Sequence, residues 1–134
     1  MKSILLTLSI AALLVAVIAA QSGSHSSQND DEVIAESLEV AAWEKLMKEK
    51  PGTVLDVRTQ EEFARGYIPN AVLIDWYSES FNEKAEKLDK TSPVYLYCHS
   101  GGRSKRAMSR LTKLGFEEVY NLKGGITAWN AAHP

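Results

Sequence analysis

The sequence predicts an α/β fold, with a central parallel sheet of about five strands and helices on both faces. Short apolar runs rich in β-formers alternate along the chain with segments of helical spacing, the order that lays strands parallel and wraps helices around them. Two of those runs, 53–57 and 93–97, end in chemistry-bearing residues, Asp56-Val57-Arg58 and Cys98. That placement suits a parallel sheet, where ligands collect beyond the carboxyl ends of the strands.

Residues 37–50 (SLEVAAWEKLMKEK) set Leu38, Ala41, Ala42, Leu46 and Met47 close to helical spacing, and Pro51-Gly52 stops the helix. The run 53–57 is short, apolar and ends in charge, as a buried strand does. Thr59-Gln60-Glu61-Glu62 fits a capping box, opening a short helix that runs to about Arg65. Gly66-Tyr67-Ile68-Pro69-Asn70 breaks it, and 71–74 resumes as a strand. Residues 81–88 are helical, and 93–97 form the next strand, with Cys98 at its end. From Ser104 onward Ala107, Met108, Leu111 and Leu114 make one helical stripe, capped by Gly115. A last strand at 118–121, the tight turn Gly124-Gly125 and a closing helix at 126–132 complete the chain.

The first twenty residues differ from the rest. Lys2 precedes an uncharged run from Ile4 to Ala20, interrupted only by Thr7 and Ser9, which reads as an export signal cleaved after Ala19 or Ala20. The alternative is a retained anchor facing the periplasm, because a run of this length sits at the lower limit for crossing a bilayer. Residues 21–32 open with QSGSHSSQNDD and read as a polar spacer, in which His25 is a solvent-exposed tail residue. Residues 33–134 then form a single domain. An apolar content of 45% and a charged content of 24% argue against a disordered or fibrous chain. Fifteen Lys and Arg stand against seventeen Asp and Glu; losing Lys2 leaves 14 − 17 = −3, which gives no support to nucleic-acid or membrane-surface binding.

Cys98 is the one cysteine, so it has no intrachain disulfide partner. It is either a small buried apolar residue or a reactive thiol, and its neighbours decide between them. In Cys98-His99-Ser100-Gly101-Gly102-Arg103-Ser104, two glycines let the backbone curl so that successive N–H groups point inward as an anion-binding nest. The positive end of the following helix, with Arg103, Lys105 and Arg106, favours a thiolate and any anion attached to its sulfur. An inert packing cysteine needs none of these features.

These segments resemble the rhodanese homology domain. The resemblance rests on Leu55-Asp56-Val57-Arg58, Glu61-Glu62-Phe63, Gly66 through Ala71, the Cys98–Ser104 loop, and Asn121-Leu122-Lys123-Gly124-Gly125-Ile126 followed by Trp129, in the family's order over nearly all of 35–134. The exported single-domain form is similar to the periplasmic, phage-shock type. The resemblance implies a thiosulfate:cyanide-type sulfurtransferase in which Cys98 carries a persulfide, the backbone N–H groups of His99, Ser100, Gly101, Gly102 and Arg103 cradle it, and Arg103 faces the bound anion. It calls for no metal and no organic cofactor. Its partners are a small-molecule sulfur donor and acceptor, with a protein thiol as an alternative acceptor; oligomeric state is not legible.

Phosphatases and arsenate reductases of related architecture use a cysteine loop closed by arginine with about five intervening residues around a tetrahedral oxyanion. Here four intervene, a ring better matched to a single sulfur atom. A persulfide-binding module fed by a protein donor is a second reading, and a redox protein is disfavoured by the lack of a resolving cysteine. Among supporting residues, Asp56 and Arg58 form an ion pair fixing the base of the loop, and Ser104 follows the loop arginine. Lys123 is either an anion-attracting group beside the loop or a solvated lysine. His99 acts as a backbone donor with an exposed side chain, Trp129 as core or pocket wall, and His133 as an exposed terminal residue. Tyr67 and Asn70 stand where the family often has histidine and glycine; asparagine tolerates a left-handed backbone, so the turn survives.

Overall fold

Five short segments pair in parallel as one sheet in the computed structural model, which describes residues 32–134. The expected export signal and most of the spacer, His25 included, lie outside the described residues. The strands are β1 (Ile34–Leu38), β2 (Thr53–Asp56), β3 (Val72–Leu73), β4 (Val94–Tyr97) and β5 (Glu118–Leu122), in the spatial order β1-β5-β4-β2-β3. The helices are α1 (Val40–Glu49), α2 (Gln60–Ala64), α3 (Phe81–Ala85), α4 (Gly102–Lys113) and α5 (Gly125–Ala132). Among the described residues no helix is long and apolar enough to cross a membrane.

β4 lies in the middle and is buried along its whole length, so its alternation builds two cores at once. Val94 and Leu96 face one side with Leu55, Val57, Phe116 and the α4 residues Ala107, Met108 and Leu111. Tyr95 and Tyr97 face the other with Trp43, Ile68, Tyr120, Leu122 and Ile126. Cys98 continues the first set, its side chain packed at the top of that core.

The start of the domain differs from expectation. Residues 34–38 are a strand paired with β5 in register Ile34↔Glu118 through Leu38↔Leu122, so the helix begins at Val40 instead of Ser37. The segment IAESL alternates poorly, and its strand character comes from the open edge that β5 offers. Within α1, Ala41 and Ala42 face solvent, and the fully buried residue is Trp43. Its indole Nε1 donates to the Tyr120 carbonyl at 3.0 Å, and its ring meets Tyr95 and Trp129 edge-on.

Other boundaries move less. β3 is only Val72–Leu73 and α3 ends at Ala85, whereas the capping box is present as written: the Thr59 hydroxyl accepts from Glu62 N, and Glu62 Oε2 accepts from Thr59 N. Gly115 takes a φ of 96° after α4, with Phe116 N donating to Leu111 O at 3.1 Å, which closes the helix and buries Phe116 against it. Asn70 has a φ of 66°, the left-handed turn its amide side chain allows.

The chain moves outward from β2 to β3 in one direction and from β4 to β5 in the other, so the strand order reverses between β2 and β4. That crevice is where an open parallel sheet binds ligands. Asp56-Val57-Arg58 and the Cys98 loop border it.

Candidate active site

The loop after β4 wraps around the sulfur of Cys98. Gly101 N donates to Sγ at 3.1 Å, and the Ser104 hydroxyl lies 3.3 Å from the same atom. Gly101, at a φ of 109°, is the N-cap of α4, so the helix begins two residues earlier than the sequence suggested and brings its unpaired N–H end beneath the sulfur. Burial pushes the Cys98 thiol up. Hydrogen bonds from the Ser104 hydroxyl and from the backbone of Ser104, Gly101 and Ser100 outweigh it and hold the thiol below its ordinary value. The cysteine is therefore both buried and activated, two properties the sequence had set against each other.

The first turn of α5 fixes the other side of the loop. Ile126 N donates to the Cys98 carbonyl at 2.9 Å, and Thr127 N and its hydroxyl both reach the His99 carbonyl. A Cβ on Gly125 would lie 2.4 Å from the Cys98 carbonyl oxygen and 2.5 Å from that of His99, and Gly125 has a φ of 57°. Only glycine fits this contact.

Arg103 has partners of its own. Its guanidinium forms a two-pronged pair with Glu62, both contacts 2.6 Å, and lies over the Tyr77 ring. Its charge is thus shared with a carboxylate. That contact, with the capping bond from Thr59, draws the Glu62 carboxyl down to about 2. The pairing of Glu62 with Arg103 was not visible in the sequence, because the two lie 41 residues apart. Tyr77 and Thr127 carried no sequence signal at all.

Asp56 and Arg58 do pair, fully buried, with Arg58 Nη2 on Asp56 Oδ2 at 2.7 Å and also on the Gly66 carbonyl at 2.7 Å. The pair ties the end of β2 to the turn after α2, and Arg58 overlies the ring of Tyr97, the residue before Cys98. Lys123 points its ammonium at Glu39, 3.3 Å away and exposed. His99 is exposed, as is Ser100. Trp129 is half-buried against the second core. His133 is exposed but held, stacking on Trp129 and meeting Glu44 at 3.2 Å. Among the described residues, no group of three or more His, Cys, Asp or Glu side chains is arranged to hold a metal ion.

The Rhodanese-like domain family matches residues 39–132. The chain belongs to this family. Thiosulfate sulfurtransferase GlpE of Coxiella burnetii is 39% identical over 93 residues, spanning 69% of this chain and 84% of that protein. The putative sulfur carrier protein YrkF of Bacillus subtilis is 35% identical over 107 residues, spanning 80% of this chain and 56% of its own length. Among solved structures, a rhodanese-like domain protein from Staphylococcus aureus superposes with a TM-score of 0.62 at 34% identity, covering 70% of this chain and 90% of the other. The five-stranded parallel sheet with its helices is accordingly a rhodanese-like fold.

Proposed function

We propose that this rhodanese-like protein moves sulfane sulfur from thiosulfate or a similar donor to a thiophilic acceptor, through a persulfide on Cys98. The carrying observation is the four-residue loop whose Gly101 N–H and Ser104 hydroxyl converge on Sγ. In the first step the Cys98 thiolate attacks the outer sulfur of thiosulfate, the S–S bond breaks, and sulfite leaves with the electron pair. In the second a nucleophile such as cyanide takes the terminal sulfur and Cys98 departs as thiolate. The hydrogen bonds that stabilise this thiolate serve both steps, as attacking group and as leaving group.

Mass spectrometry after incubation with thiosulfate tests the assignment: Cys98 gains one sulfur atom, cyanide removes it as thiocyanate, and Cys98→Ser does neither. No gain on the parent protein, or hydrolysis of an aryl phosphate without thiocyanate formation, refutes it. A carrier fed by a protein persulfide is the second reading, supported by the similarity to a putative sulfur carrier. In that case thiosulfate fails to load Cys98 but a protein persulfide succeeds. The N-terminal run from Ile4 to Ala20 supports work in an exported location. A mature N-terminus at Ala20 or Gln21 on secreted material is the expected result, and an unprocessed cytoplasmic chain contradicts it.

A further inference from the structure

Glu62 is held at three points. Its Oε2 accepts from Thr59 N at 3.0 Å and from Arg103 Nη1 at 2.6 Å, and its Oε1 accepts from Arg103 Nη2 at 2.6 Å. The first contact closes the capping box of α2, so the carboxylate is fixed to the start of that helix and cannot swing away without opening the cap. Arg103 is confined as tightly, gripped by both carboxylate oxygens and with the Tyr77 ring centroid 5.7 Å from its guanidinium carbon. The two side chains are 16% and 24% exposed, so water and salt screen the pair only in part. Hydrogen bonding to Glu62 holds the Arg103 guanidinium above its ordinary value, and the negative charge of Cys98 adds to it, which puts cation and sulfur within electrostatic reach of one another. The Glu62 carboxyl, drawn down to about 2, stays ionised wherever the thiolate exists. Arg103 therefore meets every reactant with its counter-charge already in place.

We propose that Glu62 is a positioning residue that sets the charge preference of the site: by holding Arg103 in an ion pair, it lowers the positive potential over the Cys98 loop and narrows the advantage of anionic reactants over neutral ones. The proposal rests on the sulfur-transfer reading and adds to it a control on which reactants reach the sulfur. A lone cation beside a reactive thiolate attracts every anion that fits, including the sulfite released in the first step, which would then stay bound and obstruct the second reactant. A cation matched by a fixed carboxylate keeps its unused guanidinium N–H groups as donors while most of its net charge is cancelled. Thiosulfate is pulled in less strongly as a result, and sulfite departs more easily.

Iodoacetate and iodoacetamide provide the test, because they alkylate the same sulfur, are close in size and differ by one negative charge. Cys98 is the one cysteine, so the gain in mass reports on this residue alone. Glu62→Gln removes the charge yet leaves an acceptor oxygen and a side chain suited to the capping box. The ratio of the iodoacetate rate to the iodoacetamide rate is expected to rise about fivefold in this variant, the order for one unit charge within about 10 Å at an intermediate dielectric, and the rise shrinks in high salt. Changes in the acidity or nucleophilicity of the thiol cancel in that ratio. Arg103→Gln alone leaves the carboxylate unmatched and lowers the ratio. The double variant, uncharged at both positions, returns it to within about twofold of the parent. A purely structural role slows both reagents together, and an unchanged ratio in Glu62→Gln overturns the proposal. Loading by thiosulfate is measured on the parent and on Glu62→Gln, and gains more than iodoacetate does because the donor carries two charges. If thiosulfate loads neither protein while the ratio still rises, the control by Glu62 stands and the thiosulfate reading falls. If thiosulfate loads the parent and the ratio does not move, the reverse holds.

Discussion

Replacing Ser104 with alanine removes one hydroxyl from the sulfur and leaves the rest of the loop in place. Ser104 is fully buried in α4, and its Oγ lies 3.3 Å from Cys98 Sγ and 3.2 Å from the Gly101 carbonyl. It has a single proton to donate, so donation to the thiolate competes with donation to the carbonyl. A hydrogen bond to a charged group contributes about 1.5–3 kcal/mol, and the competing carbonyl argues for the lower end, about 1.5 kcal/mol. Since 1.36 kcal/mol corresponds to a factor of ten between protonation states, the thiolate fraction on the acid side falls about tenfold. The remaining thiolate is more basic and intrinsically faster, by about threefold for each tenfold change in acidity. The net effect at low pH is therefore a decline of about threefold in alkylation by iodoacetamide. At high pH, where both proteins are fully ionised, the variant reacts about threefold faster. A pH–rate profile from pH 5 to 10 displays the crossing. Equal rates at every pH, or a variant slower throughout by a constant factor, would show that the hydroxyl donates to the Gly101 carbonyl and does not tune the sulfur.

Three further outcomes follow from the same contacts. Gly125→Ala forces a Cβ to within 2.4 Å of the Cys98 carbonyl and strains a φ of 57°; urea denaturation should show a loss of at least about 2 kcal/mol, accompanied by slower persulfide formation, and an unchanged midpoint would contradict the packing. Asp56→Asn leaves the Arg58 guanidinium buried without its counter-charge, costing about 3–5 kcal/mol by the same assay, while a loss under 1 kcal/mol would mean that Arg58 finds water or another partner. Hydrogen bonding from Arg103 depresses the Glu62 carboxyl to about 2 in the folded protein, against about 4.3 in an unfolded chain, so the unfolded state takes up the proton first. The stability from this pair is complete above about pH 4.3 and is lost as pH falls through about 2; Glu62→Gln should flatten the acid limb of stability against pH, and a limb of unchanged slope would locate the acid sensitivity elsewhere.

What was legible in the sequence follows the range of the interactions involved. Local rules sufficed for the Thr59–Glu62 capping box, the glycine closure of α4 and the left-handed turn at Asn70, because each is decided within a few residues. The Cys98 loop was legible for the same reason: cysteine, glycines and helix start are contiguous. β1 was not, because its five residues become a strand only through a ladder with β5, some 84 positions later in the chain. Trp43 was passed over in favour of two alanines, since helical spacing alone does not reveal which face meets Tyr95 and Tyr120. Glu62 and Arg103 show the same limit inside the site: each was assigned its local role, and the ion pair that joins them across 41 positions was not visible.

That ion pair clarifies how the loop accommodates negative charge. A trans peptide points its C=O and N–H in opposite directions. The carbonyls of Cys98 and His99 are turned toward α5, where they accept from Ile126 N and Thr127 N. The N–H groups of His99 and Ser100 must then point the other way, and the Ser100 backbone accordingly helps to lower the Cys98 thiol. The start of α5 gains partners for two of its otherwise unsatisfied N–H groups, and in the same contact it orients the donors of the neighbouring loop. Gly125 permits this approach, so a residue with no side chain sets the polarity of the site. Beside the Arg103–Glu62 pair, these fixed dipoles and the N-terminus of α4 favour negative charge on the Cys98 sulfur. Such donors need no reorganisation as charge moves from Sγ to the outer sulfur and back, which is the property a two-step transfer requires of its cradle.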